Sequence, residues 1–252
     1  MIKLTFADKD VLIFRDIGEI SSYILEKWEE TAERAIFRHN EFTVAISGGR
    51  TPVHIYRALS SQKSFPWEKT HIFMVDERYV PYESDENNFR MINETLLLHV
   101  DIPARNIHPI MTSGASARDC AAKYQEDIVS FFKLPPGAFP VIDLVLLGIG
   151  EDGHTASLFP GNDVIQDTSH IAVAVTLSDA LKKDRITLTL PVINNASNAM
   201  FITAGESKAG VVRKIMKKED RSLPAAMVKP QSGTAVFLVD KDAGSLLANN
   251  EI

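Results

Sequence analysis

The chain has 252 residues, with 27 Lys and Arg against 33 Asp and Glu, and so carries a formal charge of −6. Its 45% hydrophobic and 24% charged composition excludes disorder as the main state and is enough for a large core. The acidic balance argues against a general nucleic-acid binder. One cysteine, Cys120, permits no internal disulfide. No apolar run approaches the roughly 20 residues of a membrane span, and charges interrupt the opening MIKLTFADKDVLIFRD where a signal peptide would need an apolar stretch. The expected compartment is a reducing cytoplasm.

In chain order, the first helix is predicted over residues 20–36, where Ile20, Ile24, Trp28, Ala32, Ala35 and Ile36 recur at helical spacing before His39-Asn40 closes it. Near-continuous apolar runs follow at 42–46 (FTVAI), 72–75 (IFMV), 143–149 (DLVLLGI), 171–175 (IAVAV), 199–203 (AMFIT) and 235–239 (AVFLV). Such runs suit parallel strands buried on both faces. Further helices are predicted over 86–98, 115–132, 206–218 and 243–248. The alternation predicts an α/β fold: an open, mainly parallel sheet with helices on both faces, Rossmann-like, in one domain spanning residues 1–252. Leu134-Pro-Pro-Gly137 reads as a loop within it. Ligands of such sheets bind at the carboxyl ends of the strands, so the residues that follow each strand carry the chemistry.

After FTVAI comes Ser47-Gly48-Gly49-Arg50-Thr51-Pro52. The glycines allow close backbone approach, Thr51 is a suitable N-cap, and Pro52 fits the first helical position. With Arg50 beside it, such a helix start makes an anion site. After IFMV comes Asp76-Glu77-Arg78. Arg78 can stabilise a developing oxyanion, and Asp76 and Glu77 can orient it or handle protons. After the 143–149 strand comes GIGEDGHTASLFPG. Gly148, Gly150 and Gly153 spell a dinucleotide fingerprint, but Pro160-Gly161 cuts short the helix it requires. The segment instead presents His154 as a base, with Asp152 placed to orient it. Gly205-Glu206-Ser207-Lys208-Ala209-Gly210 narrowly misses the hydrolase elbow G-x-S-x-G. Lys208 there opposes the helix dipole, a conflict that a bound anion would remove. Arg185, in RITLT, adds another strand-edge cation. The seven histidines are scattered and complete no metal pattern with Cys120.

Together these motifs resemble the 6-phosphogluconolactonase family of the pentose phosphate pathway. SGGRTP is similar to its S-G-G-[ST]-T-P, DERYVP to D-E-R-x-V-P, and GIGEDGHTASLFPG to G-x-G-x-D-G-H-T-A-S-L-F-P-G, while RITLT, GESKAG and Leu223-Pro224-Ala225-Ala226 match in order. The resemblance implies hydrolysis of 6-phospho-D-glucono-1,5-lactone without metal or organic cofactor. It implies His154 as the base that activates water, Arg78 as the partner of the carbonyl oxygen, and Asp152 in support. Ser47, Gly48, Gly49, Arg50, Thr51, Lys208 and Arg185 would hold the phosphate. Asp76 either shapes the site or joins the proton transfer. The implied partner is a small phosphorylated lactone, with neither nucleic acid nor membrane, and the protein is expected as a monomer or weak homo-oligomer. Arg50, Asn87 and the run Leu181-Lys182-Lys183-Asp184 depart from the family pattern. Two rivals share the scaffold: a non-catalytic sugar-phosphate sensor, and glucosamine-6-phosphate deaminase. The deaminase family has a glutamate where Phe159 stands here.

Overall fold

A strand without polar alternation can only be stable between two covered faces, and the apolar runs assemble accordingly. The computed structural model describes residues 1–6, 9–177 and 183–247. From edge to edge its main sheet contains β1 (Ile2–Phe6), β2 (Lys9–Phe14), β11 (Thr234–Asp240), β10 (Asn198–Thr203), β7 (Leu144–Gly148), β3 (Phe42–Ile46), β4 (Thr70–Met74) and β6 (Ile107–His108). Only β1 runs antiparallel to its neighbour, with Ile2 opposite Ile13 and Phe6 opposite Lys9. A second sheet joins β5 (Asp76–Arg78), β9 (Arg185–Leu188) and β8 (Ala172–Val175), all antiparallel.

The helices are α1 (Ile17–His39), α2 (Arg50–Leu59), α3 (Asn88–Thr95), α4 (Ala117–Phe132), α5 (Leu190–Asn194), α6 (Ala209–Met216) and α7 (Pro224–Met227), and they cover both faces of the main sheet. Asp16 starts α1 by accepting the Glu19 N–H at 3.0 Å, and Asn40 ends it in the left-handed conformation at φ 69°. Ser116 caps α4 in the same way as Asp16 caps α1. One continuous hydrophobic cluster runs through the molecule, with Trp28 of α1 set edge-on against Phe42 of β3 at 5.4 Å. No helix among the described residues is long and apolar enough to cross a membrane.

Several expectations need correction. The 171–175 run is not a strand of the parallel sheet: β8 pairs antiparallel with β9 in the smaller one. Asp76-Glu77-Arg78 and the start of RITLT, read as strand ends and edges, pair with each other as β5 and β9. The β1–β2 hairpin is an addition to the expected elements: Ile2, Leu4 and Phe6 alternate with Lys3 and Thr5, the pattern of a strand with one covered face. The helix expected over 86–98 is α3 followed by a 3-10 turn at Leu97–His99, and that expected over 206–218 opens as a 3-10 turn at Glu206–Lys208. Residues 243–247 form turns tied to β11 by the Asp240 carboxylate, which accepts the Ala243 N–H; Ala248 lies outside the described residues, as do Leu181 and Lys182.

Strand order reverses once: β3 leads outward to β4 and β6, whereas the chain returns to β7 on the other side of β3 and continues to β10 and β11. The crevice of a doubly wound sheet lies at such a point. At the centre of the sheet Phe201 of β10 stacks on Phe237 of β11 at 4.3 Å, both fully buried. Phe201→Ala is expected to cost about 3–5 kcal/mol, read as a lower denaturation midpoint with an unchanged slope in a guanidinium titration.

Candidate active site

A cavity of about 400 Å³ opens at that crevice, at the carboxyl ends of β3, β7 and β10. Ser47, Gly48, Gly49, Arg50, Thr51, Asp76, Arg78, His154, Arg185 and Lys208 all line it. Asp152 stands behind His154 rather than on the wall. Ser207, the nucleophile of a would-be elbow, is exposed and is not on the wall either.

The strand-to-helix turn differs in detail from its sequence reading. Gly49, at φ 113°, is the N-cap of α2, Arg50 is the first helical residue, and Pro52 falls third. Thr51 therefore lies inside the first turn, and among the described residues no side chain caps this helix. Its first N–H groups have no side-chain acceptor at the end that borders the cavity. Gly48 is required for another reason: a Cβ there would collide with the Asn88 side-chain amide. Tyr56, fully buried in α2, donates its hydroxyl to the Ser47 carbonyl and ties the helix to the strand end.

The glycine-rich loop after β7 doubles back on itself. Gly150 N–H donates to the His154 carbonyl at 2.8 Å, and Thr155 Oγ1 donates to the Gly148 carbonyl at 2.9 Å. His154 Nδ1 lies 2.6 Å from Asp152 Oδ1, which also accepts the His154 N–H at 3.1 Å. Burial opposes the charge on Asp152, but these His154 contacts outweigh it and hold the carboxyl below its ordinary range. A Cβ on Gly150 would strike the His154 ring. Gly153, at φ 86°, has its Cα against Leu223, and its carbonyl accepts the Ala225 N–H at 3.1 Å, which locks the loop to the start of α7. Phe159 packs against the His154 ring at 4.6 Å and lies 5.7 Å from the Arg185 guanidinium.

The small sheet supplies a further wall. Arg78 of β5 and Arg185 of β9 are directly paired, so two guanidiniums lie side by side on the cavity. Burial, then the nearby Arg78, pushes the Arg185 pKa down. Asp76 is buried and accepts the Ser157 hydroxyl at 2.6 Å, which joins the β5 strand end to the histidine loop. Glu77 handles no proton in the cavity, because it points away from it: its carboxylate accepts the backbone N–H groups of Arg78, Asn88 and Phe89 at 2.7–2.8 Å. Of the buried side-chain atoms without a partner among the described residues, Ser47 Oγ, Arg78 Nε, Arg185 Nε and Thr203 Oγ1 belong to the cavity wall and Trp28 Nε1 alone to the core. Orphaned buried donors are costly, and their convergence on one cavity gives it the chemistry to receive a polar, anionic group.

The sequence reading singled out Phe159 only as a mark against a deaminase, and it missed Asn88 and Ser157 as parts of this assembly. Ser157 and Phe159 sat within a motif already singled out, whereas Asn88 had no signal beyond its place after DERYVP. Asn87, a departure from the family pattern, keeps a capping role, with Oδ1 accepting the Arg90 N–H at 2.8 Å at the start of α3. The other histidines lie elsewhere: His39 pairs with Asp143, and His71 with His108, which in turn meets Asp127 at 2.8 Å.

Fold and cleft together define a doubly wound α/β protein with a cationic ligand site at its switch point. More particularly, the chain belongs to the family described as glucosamine-6-phosphate isomerases/6-phosphogluconolactonase, whose model matches residues 15–237. It is 39% identical to the 6-phosphogluconolactonase of Synechocystis over 216 residues, 85% of this chain and 88% of that one. It is 35% identical to that of Thermotoga maritima over 234 residues, 92% and 99% of the two chains. The crystal structure of the Thermotoga enzyme superposes with a TM-score of 0.80, and that of 6-phosphogluconolactonase from Trypanosoma cruzi with 0.84 at 25% identity, covering 98% of this chain and all of that one. A monomeric glucosamine-6-phosphate deaminase, 19% identical with a TM-score of 0.78, shares the fold.

Two outcomes follow from this geometry. Gly150→Ala should displace the imidazole and abolish its 2.6 Å contact with Asp152, read as a lost Nδ1–H resonance with little change in melting temperature. Burial raises the Glu77 carboxyl from 4.5 to about 7, against the pull of its three N–H donors. The folded chain therefore holds this proton more tightly than the unfolded chain, and stability falls as pH rises from about 4.5 to about 7. Glu77→Gln should remove that slope from the pH profile of the melting temperature.

Proposed function

We propose that the protein is a 6-phosphogluconolactonase that hydrolyses 6-phospho-D-glucono-1,5-lactone to 6-phospho-D-gluconate. The observation that carries this reading is a carboxylate-tied imidazole facing two guanidiniums with unpartnered buried donors in one cavity. In neutral His154, with Nδ1–H donated to Asp152, Nε2 has its lone pair free for a water proton.

Water attacks the lactone carbonyl carbon while Nε2 takes one of its protons, and the charge that builds on the carbonyl oxygen is met by Arg78. Collapse of the tetrahedral intermediate breaks the bond to the ring oxygen, which receives the proton back from the imidazolium and becomes a hydroxyl. The new carboxylic acid gives its own proton to solvent. The phosphate is held by the α2 start at Gly48 to Thr51 with Ser47, by Lys208 and by Arg185. Asp76, fixed by Ser157, shapes the wall beside Arg78.

Phe159 speaks against a deaminase, since a phenyl ring against His154 offers no proton for opening a sugar ring. His154→Ala should lower kcat by about 10²–10⁴-fold, and Arg78→Ala should also fall well below wild type, once spontaneous lactone hydrolysis is subtracted. A wild-type rate equal to the spontaneous one overturns the proposal; ammonia release from glucosamine 6-phosphate would instead favour the deaminase.

A further inference from the structure

Asp76 and Arg78 face the cavity, while Glu77 between them is fully buried and faces away. Its Oε1 accepts the N–H groups of Arg78 at 2.8 Å and Asn88 at 2.7 Å, and its Oε2 accepts that of Phe89 at 2.7 Å. Both ends of the intervening loop, residues 79–87, thus close on one carboxylate. The residues at those ends both reach the cavity. Arg78 Nη1 donates to the Glu86 carbonyl at 2.7 Å, within the same loop. Asn88 Nδ2 donates to the Asp76 carbonyl at 3.1 Å, and its amide fills the space that a Gly48 side chain would need.

Starting α3 does not exhaust the role of this carboxylate: it accepts the first two N–H groups of that helix, from Asn88 and Phe89, while Asn87 accepts that of Arg90, but its bond to the Arg78 N–H lies outside the helix. Nor does stability account for it, because burying an ionised group is costly. What the carboxylate uniquely provides is acceptors on both oxygens; an amide of the same shape would turn an NH₂ group toward the Phe89 or Arg78 N–H. We propose that Glu77 is a positioning residue: it closes loop 79–87 so that Arg78 and Asn88 hold their places on the cavity wall. Its kinetic consequence rests on the lactonase reading, whereas its effect on the Arg78 side chain does not.

The test compares Glu77→Gln and Glu77→Asp, each with Arg78 intact and with Arg78→Lys, near pH 8 with spontaneous hydrolysis subtracted. Arginine Nε–H resonances are recorded by ¹⁵N spectroscopy on the same proteins. With Arg78 intact, Glu77→Gln is expected to lower kcat roughly tenfold, the order of a lost hydrogen bond to a charged group, with KM within about twofold. In the Arg78→Lys background the loss should shrink to less than about twofold, since coupled residues are not additive. The Arg78 Nε–H resonance should move. Equal losses in both backgrounds, or an unmoved Arg78 resonance, overturn the proposal. If Glu77→Gln does not fold, Glu77→Asp, which keeps the charge but falls short of all three amides, is held to the same criteria. If the wild type shows no lactonase activity, the functional reading fails by itself and the Arg78 resonance alone decides whether Glu77 positions it.

Discussion

A parallel sheet whose strand order reverses leaves one gap that no crossover helix covers, and the rest of this molecule is arranged around that gap. The chain leaves β3 in one direction and comes back to β7 in the other. The turns after these two strands therefore splay apart, and the backbone N–H groups of one and the imidazole of the other face a common space. The parallel sheet alone would provide only half of a site. The remaining wall comes from β5 and β9, a separate antiparallel pair that carries Arg78 and Arg185 onto the same cavity as the histidine.

That second wall is built at the expense of stability. Like charges directly opposed on neighbouring strands repel, and Arg78 opposite Arg185 is such a pair, with burial weakening the hold of Arg185 on its proton. Asp76 and Phe159 moderate the repulsion without quenching it: Asp76 is already engaged by Ser157, and Phe159 offers only a ring face. A small dianion entering the cavity would relieve this repulsion. The formal charge of −6 is compatible with such a ligand, because charges beyond about 8–10 Å are largely screened at physiological salt while those in the cleft are not.

Much of this arrangement was legible in the chain. Buried strands of a parallel sheet are continuous apolar words, and their ends pointed to SGGR, DER and GHTAS, which bring Ser47, Arg50, Asp76, Arg78 and His154 to one cavity. The parts that escaped reading depend on partners distant in sequence. Nothing in IAVAV distinguishes a strand of the main sheet from one in a small antiparallel sheet; that is decided by its pairing with β9. Thr51 has the chemistry of a cap, but Gly49 reaches the left-handed region first and starts the helix two residues earlier. The contact of Asn88 with Gly48 spans forty residues of chain, and the glycine is visible in the sequence while its reason is not.

The placement of β11 has a consequence for how the chain comes together in time. It lies between β10 and β2, and among the described residues it is the strand through which the β1–β2 hairpin joins the sheet. During synthesis, β1 and β2 are made long before β11 and have an open strand edge until residues 234–240 emerge to bridge them to β10. Pairing β11 with β2 thus closes a very long loop of chain. A large entropy of loop closure must be overcome at that step, and folding should be slow for a protein of this size.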